Sequence, residues 1–411
     1  MEESLEIVDF AVGASIFNVK AGLQTWMEKT RNSKPTGRFG IGGYYNMLSP
    51  EPILEAMEKE VRHPTIYPEV NGWLRAREAV AARMERHYRV KVDPDTEVCL
   101  GCGGREILFV LLRSLLKAAR KRKPGARKVI VSDPCYGGQY YSIIEAGGIP
   151  VCISSGPNHD YFGGAIEYIN ENGEEVVAVF VDGIHNPTGV CAQAKQMTAV
   201  AEAAASARVV VISDEVYQEL IHNGDPIPSM AQLVPLQDGL IAIVRSGSKL
   251  YAMSRDRIGD LVASSAIVKD YVDERKIINY GPPSIIQAGY AAALNLCDDS
   301  IAELSARIAK RAEMIYRGFV EAGWINFPKP PRAGIFQLAP VPDAFSDALT
   351  FCSKAAEEYG LEIWPAAAFG HKASQTLRHE VRIPYVEHED NLPCAFSTMK
   401  NFLSEHASSV S

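Results

Sequence analysis

Lys249 ends the run Ser246-Gly247-Ser248-Lys249, directly after a β-branched stretch. A lysine amine in that setting can condense with an aldehyde and afterwards carry protons, provided its ammonium form is destabilised. Two further polar clusters follow apolar runs in the same way. They are His185-Asn186-Pro187-Thr188-Gly189 and Asp214-Glu215-Val216-Tyr217, and Lys249 itself is followed by Arg257-Ile258-Gly259. Each cluster has a plain structural reading by itself. Asn-Pro-Thr-Gly is a good turn, an aspartate at a strand end is a good helix cap, and Ser-Gly-Ser is a loop. Together they fit one small molecule, an aldehyde on a protonated pyridine ring that carries a phosphate: pyridoxal phosphate. Its ring is an electron sink for a carbanion at the α-carbon of an amino acid, and a carboxylate such as Asp214 keeps the ring nitrogen protonated. Asn186 and Tyr217 suit the phenolic oxygen of the ring. Ser246, Ser248 and Arg257 offer hydroxyls and a fork-shaped cation to the phosphate.

The elements that must position these residues follow from hydrophobic patterning. Short β-branched runs alternate with helix-like stretches through the middle of the chain, the mark of an α/β domain with a mostly parallel sheet. Strands are predicted at Lys128–Ser132, Val176–Asp182, Arg208–Ser213, Leu240–Arg245 and Leu261–Val268. Helices are predicted at Arg105–Lys121, Gln139–Ala146, Ala194–Ser206 and Ser284–Leu296. In such sheets ligands bind beyond the carboxyl ends of the strands, which is where all three clusters fall. A long amphipathic stretch, Ile301–Ala322, carries the chain toward a second domain. The expected division is an N-terminal arm and part of the small domain over 1–46, a large cofactor-binding domain over 47–300, and a small C-terminal domain over 301–411.

Bulk properties narrow the function classes. A formal charge of −8, from 42 basic and 50 acidic residues, argues against nucleic acid or an anionic membrane as the main partner. No apolar run approaches a membrane span, and the start Met1-Glu2-Glu3-Ser4 lacks the form of a secretion signal, so a cytoplasmic protein is expected. Eight scattered cysteines form no disulfide framework. Cys99 and Cys102 make one C-x-x-C with no second pair or nearby histidine; they read as small residues in a strand and the turn after it, and no metal is expected. Between Lys117 and Lys128 the cations Arg120, Lys121, Arg122, Lys123 and Arg127 read as a solvated helix end, with an acidic ligand as the other reading.

The ordered series N-P-T-G, D-E-V-Y, S-x-S-K and R-x-G, with Arg257 eight residues after Lys249, resembles the class I/II aminotransferases, the fold type I pyridoxal-phosphate enzymes. The likeness runs from about Tyr67 to Arg382. It implies a large domain with a mostly parallel seven-stranded sheet flanked by helices, plus a smaller α+β C-terminal domain. It also implies roles that spacing alone does not reveal. Gly103, Gly104 and Arg105 take the place of the phosphate loop at a helix start. Glu106 stands where a dinucleotide fingerprint would need its third glycine. Tyr136 takes the place of the aromatic that stacks on the cofactor ring. Tyr67 matches a tyrosine that reaches the phosphate of a neighbouring subunit, so a homodimer with active sites at its interface is implied. Arg382, in Val381-Arg382-Ile383-Pro384, matches the arginine that takes the substrate α-carboxylate, a job suited to a planar fork. Gly43 and Tyr44, with Tyr45 and Asn46, lie where the family closes over its substrate.

Four departures bear on the substrate. Arg105 replaces the usual serine or threonine, adding a cation near the phosphate or an anionic substrate. His185 precedes Asn186, either as a packed side chain or as a proton carrier. Tyr44-Tyr45-Asn46 is bulky, and Trp364-Pro365-Ala366-Ala367-Ala368-Phe369-Gly370 keeps Phe-Gly without the common Pro-Gly. The leading expectation is an aminotransferase that forms a keto acid through pyridoxamine phosphate. The alternative is elimination, replacement or cyclisation on an activated amino acid such as S-adenosylmethionine, which would use the same cofactor residues. A ligand-sensing regulator would need a DNA-binding domain, and no room for one is seen before Tyr67.

Overall fold

The protein is described from a computed structural model. It covers residues 37–39, 49–63, 67–155, 160–236, 240–296, 298–370 and 377–407. Eleven strands are present among them: β1 (Gly37–Phe39), β2 (Val98–Gly101), β3 (Lys128–Asp133), β4 (Ile149–Ser154), β5 (Val176–Asp182), β6 (Val210–Asp214), β7 (Ile241–Ser246), β8 (Gly259–Ala263), β9 (Phe336–Pro340), β10 (Leu361–Pro365) and β11 (Glu380–Pro384). Seven form one sheet in the order β2-β8-β7-β6-β5-β3-β4. Only β8 runs against its neighbours in that sheet, pairing antiparallel with both β2 and β7. The sheet is the expected mostly parallel, seven-stranded one.

The strands read as continuous apolar runs because both faces are covered. Alternate residues go to opposite sides: Val129, Phe180, Ile212, Val244 and Leu261 pack on one face, and Ile130, Val179, Val211, Ile243 and Val262 on the other. The helices Gly104–Arg122, Gly137–Glu145 and Ser265–Arg275 supply apolar side chains to the first face. Tyr161–Asn172, Ala194–Ser206 and Ser284–Leu294 supply them to the second.

The predicted strand Leu261–Val268 divides in two. Pairing of β8 ends at Ala263, opposite Ala242, one residue past the Val262–Val98 pair. Ser264 then turns the chain into the helix Ser265–Arg275, whose Ile267, Val268 and Tyr271 join the core beneath the sheet. An apolar run of that length serves a strand and a helix equally well. The strand β4 and the helices Glu51–Val61, Leu74–Arg83 and Tyr161–Asn172 are additional to the sequence reading.

A second sheet has the order β1-β10-β11-β9. Its core is aromatic, with Phe319 stacked on Trp324 at 5.4 Å and meeting Phe39 edge-on at 5.1 Å. Such pairs add about 0.5–1.5 kcal/mol beyond the area they bury. Trp324 is fully buried, and its indole N–H donates to the Pro340 carbonyl at 2.9 Å. The helix Asp298–Glu321 contributes Ile308, Ala312, Ile315 and Phe319 to this core. A bridge between Ile221 and Ala333, and the bond from His222 Nε2 to the Gly334 carbonyl at 2.6 Å, tie the chain after β6 to the chain before β9.

Candidate active site

The carboxyl ends of β5, β6 and β7 open into a cleft of about 340 Å³. Its lining brings together Lys249, Asp214, Asn186, Tyr217, Tyr136 and Arg382, with Gly104, Arg105, Ser246, Ser248 and Arg257 at one end.

Lys249 lies in a single helical turn, Gly247–Leu250, that begins where β7 stops. Ser246 caps the turn by accepting from the Ser248 N–H at 3.2 Å. The lysine is buried, and burial first, then the charges of Arg382 and Arg257, bring its ammonium down from 10.5 to about 8. About a tenth is therefore free amine at pH 7, available as a nucleophile or proton carrier.

Asp214 is the last residue of β6, and burial raises its carboxyl above the usual range. Two donors oppose that shift: Gln139 Nε2 at 3.1 Å and the Val216 N–H at 3.3 Å. Donors of this kind favour the charged form that a ring nitrogen needs opposite it.

Arg382 comes from the other sheet, in the middle of β11, yet its Nη1 donates to Asn186 Oδ1 at 3.3 Å. Its guanidinium lies 4.2 Å from the centre of the Phe369 ring. Burial brings it down to about 10, leaving it charged and weakly hydrated, the state in which a carboxylate partner is bound most firmly.

At the end lined by Ser246, Ser248 and Arg257, Gly103 has φ +86°, and a Cβ there would sit 2.6 Å from Arg257 Nη2. Only glycine allows the arginine to cross the loop so closely. Arg257 itself holds φ +56°, a left-handed conformation uncommon outside glycine. It donates to Ser248 Oγ at 3.3 Å and to the Ser254 carbonyl at 3.1 Å. Ser246 Oγ donates to Ser248 Oγ at 3.0 Å. The 19-residue helix Gly104–Arg122 begins at this end, where backbone N–H groups and the helix dipole suit an anion. Arg105 turns toward Tyr136, donating to its hydroxyl from Nη2 at 2.7 Å. Tyr136 packs against the start of the helix Gly137–Glu145, where a Cβ on Gly138 would meet its ring at 2.3 Å.

The cleft fits pyridoxal phosphate on its own chemistry. It presents a buried amine of lowered pKa, a buried carboxylate on a strand end, a cationic and hydroxyl-lined pocket at a helix N-terminus, and an aromatic face.

Other residues singled out in the sequence lie elsewhere. Tyr67 is outside the cleft and 87% exposed, in edge-on contact with Tyr280 at 5.8 Å. Gly43, Tyr44, Tyr45 and Asn46 fall outside the described residues. His185 is buried behind the cleft with both ring nitrogens engaged, Nε2 with Ser132 Oγ at 2.8 Å and Nδ1 with Thr188 Oγ1 at 2.7 Å. Burial brings it down to about 4, so it is a neutral, packed ring. Glu106 accepts from the Cys102 N–H at 2.9 Å and pairs with Arg275 at 3.6 Å.

The cleft also contains residues that sequence reasoning passed over: Gln139, Asp182, Leu108 and Ile184. Asp182 had a legible signal, since it ends an apolar run just as Asp214 does. Its pairing with Asp214 depends on strand order.

The family model described as aminotransferase class I and II matches residues 38–391. An aspartate aminotransferase from Bacillus subtilis is 25% identical over 390 residues, covering 92% of this chain and 95% of that protein. An LL-diaminopimelate aminotransferase from Gloeobacter violaceus is 26% identical over 340 residues, covering 82% of this chain and 84% of that one. Among solved structures, an N-succinyldiaminopimelate aminotransferase from Mycobacterium tuberculosis superposes with a TM-score of 0.83 at 23% identity, over 93% of this chain and 96% of that one.

Proposed function

This chain belongs to the class I and II aminotransferase family, and on that premise we propose that its cleft transfers the amino group of an α-amino acid to a keto acid, with Lys249 as the proton carrier. It is a pyridoxal-phosphate-dependent aminotransferase of fold type I. Pyridoxal phosphate, when bound, supplies an aldehyde for amino groups and a ring that draws electrons from the α-carbon.

The residues divide the remaining work. Ser246, Ser248, Arg257 and the N–H groups of Gly104 and Arg105 hold the phosphate. Asp214 sets a negative charge against the ring nitrogen, Asn186 and Tyr217 face the ring oxygen, and Tyr136 covers the ring. Arg382 takes the α-carboxylate and so turns the α-hydrogen toward Lys249. Lys249 Nζ can take that proton and, with pyridoxal phosphate bound, would hand it to the cofactor's aldehyde carbon, because burial and two neighbouring cations keep the amine from holding it tightly. The observation that carries this reading is the joint placement of Lys249, Asp214 and Arg382 in one cleft.

The site is further proposed to be completed by a second copy of the chain. Support comes from Tyr67 (87% exposed), Ile277 (76%) and Tyr280 (52%), large apolar side chains outside the cleft. No helix among the described residues is long and apolar enough to cross a membrane. The proposed compartment is the cytoplasm, which suits eight cysteines scattered without a disulfide framework.

The test mixes the holoenzyme with a panel of amino acids and S-adenosylmethionine. Conversion of the cofactor to pyridoxamine phosphate with release of a keto acid is the expected result. Loss of a side-chain group while the cofactor remains an aldehyde would replace transamination by elimination or cyclisation.

A further inference from the structure

Asp182 and Asp214 end neighbouring parallel strands and are partners in the β5–β6 register. Between them stands Gln139, in the first turn of the helix Gly137–Glu145 and only 1% exposed. Its Nε2 donates to Asp182 Oδ1 at 2.9 Å and to Asp214 Oδ2 at 3.1 Å. All three side chains line the cleft. We propose that Asp182 is a positioning residue: it fixes the Gln139 amide so that one N–H is always directed at Asp214, and thereby keeps Asp214 charged for the cofactor. The inference rests on the role proposed for Asp214 above.

The amide chemistry carries the argument. An amide nitrogen has two hydrogens and the oxygen none. With nitrogen toward the strands, each carboxyl receives one hydrogen. With the amide turned over, its oxygen would face two acceptors. Gln139 Oε1 is buried and has no hydrogen-bond partner, so the amide is not oriented from its oxygen end. Its orientation is set by the two carboxyls, and Asp182 is the one that does not serve the cofactor ring.

Charge sorting between the two carboxyls follows from their surroundings. Burial and the nearby Asp214 charge push the Asp182 carboxyl well above the usual range, with Gln139 opposing. Asp214 has two opposing donors, Gln139 and the Val216 N–H. Asp182 is faced by Asp214 from the next strand and Gln139 from the helix, with Tyr161 and Cys135 the other titratable groups near it. Two buried like charges on adjacent strands cannot both ionise without cost, and Asp214 receives the Gln139 and Val216 donors where Asp182 receives Gln139, which favours the charge on Asp214 and the proton on Asp182. A protonated Asp182 still accepts from Gln139 through its carbonyl oxygen.

The experiment compares Asp182→Ala, Asp182→Asn and Gln139→Met, each reconstituted with pyridoxal phosphate. Two quantities are read: the cofactor dissociation constant and the pH midpoint of the visible absorbance change. Asp182→Ala should weaken cofactor binding roughly tenfold, the equivalent of one pKa unit lost at Asp214, and should move the absorbance midpoint. Asp182→Asn should keep both near the wild-type values, because the asparagine oxygen accepts the same hydrogen. In a Gln139→Met background, Asp182→Ala should add nothing further. Equal losses in the alanine and asparagine variants, or additive losses in the double variant, would overturn the inference. If Asp182→Ala does not fold, Gln139→Met decides: cofactor affinity and absorbance midpoint unchanged from wild type would overturn it equally. Wild-type protein that takes up no pyridoxal phosphate would instead sink the reading of the whole site.

Discussion

Arg382 Nη1 donates to Asn186 Oδ1 across 3.3 Å, joining the middle of β11 in the small sheet to the turn after β5 in the large one. The arginine proposed for the substrate and the asparagine proposed for the cofactor are thus held by a single bond. A carboxylate binding at Arg382, the role proposed for it, would meet a guanidinium already held over the Phe369 ring and bonded to Asn186.

Replacing Arg382 with leucine should therefore raise KM for α-amino acids far more than it lowers cofactor affinity. The loss of a charge-assisted contact of about 1.5–3 kcal/mol corresponds to roughly 10- to 150-fold in kcat/KM. Steady-state kinetics and cofactor titration on the same variant separate the two effects.

Lys249→Ala should remove the visible absorbance of the holoenzyme. Turnover should fall by roughly 10²–10⁴-fold or more, the usual contribution of a positioned proton carrier. Absorbance spectra and single-turnover assays check both.

Capture of pyridoxal phosphate by cofactor-free protein should rise with pH up to about 8 and then level, because Lys249 reacts as its neutral amine and is brought down to about 8. The sign follows from the direction of the shift: below that pH the group is ammonium and unreactive. Arg382→Leu removes one of the cations that lower it, so the same profile should move to higher pH. Stopped-flow capture rates across a pH series provide the measurement.

Stability has its own test beneath the site. Arg245 on β7 and Asp260 on β8 are register partners, joined from Arg245 Nη2 at 2.8 Å, and Asp260 is completely buried. Asp260→Asn leaves the guanidinium uncompensated in the core and should cost about 3–5 kcal/mol in denaturant unfolding.

For the proposed dimer, mixed unfolding and refolding of Lys249→Ala with Tyr67→Phe should regain activity that neither variant has fully alone. In a mixed pair, one site receives Lys249 from one chain and Tyr67 from the other. Activity that stays at the mean of the two separate variants would argue against a shared site.

Much of this arrangement was legible in the chain. Apolar runs ending in Asp214, in Ser246 and at Asp182 shortly before Asn186 mark strands whose carboxyl ends open to a ligand, and β-branched runs alternating with helix-like stretches mark a mostly parallel sheet. Other features depend on strand order, which no local pattern encodes. Asp182 is adjacent to Asp214 only because β5 lies beside β6. The reversal of β8 hid in an apolar run that continues into a helix. Tyr67 is the opposite case: the residue is visible, but one chain alone leaves it outside the cleft.

The location of Lys249 just after a strand of the large sheet and of Arg382 within the small one also bears on how the molecule responds to heat. The large sheet packs a cluster on each face, around Val179 and around Phe180, and the small sheet has its own core around Trp324 and Phe319. A ligand held at Lys249 and Arg382 together acts as a cross-brace between two halves that could otherwise come apart separately. The stabilisation its binding confers, about 2.7 kcal/mol when free ligand is a hundredfold above Kd, then enters the unfolding of both halves and couples their melting.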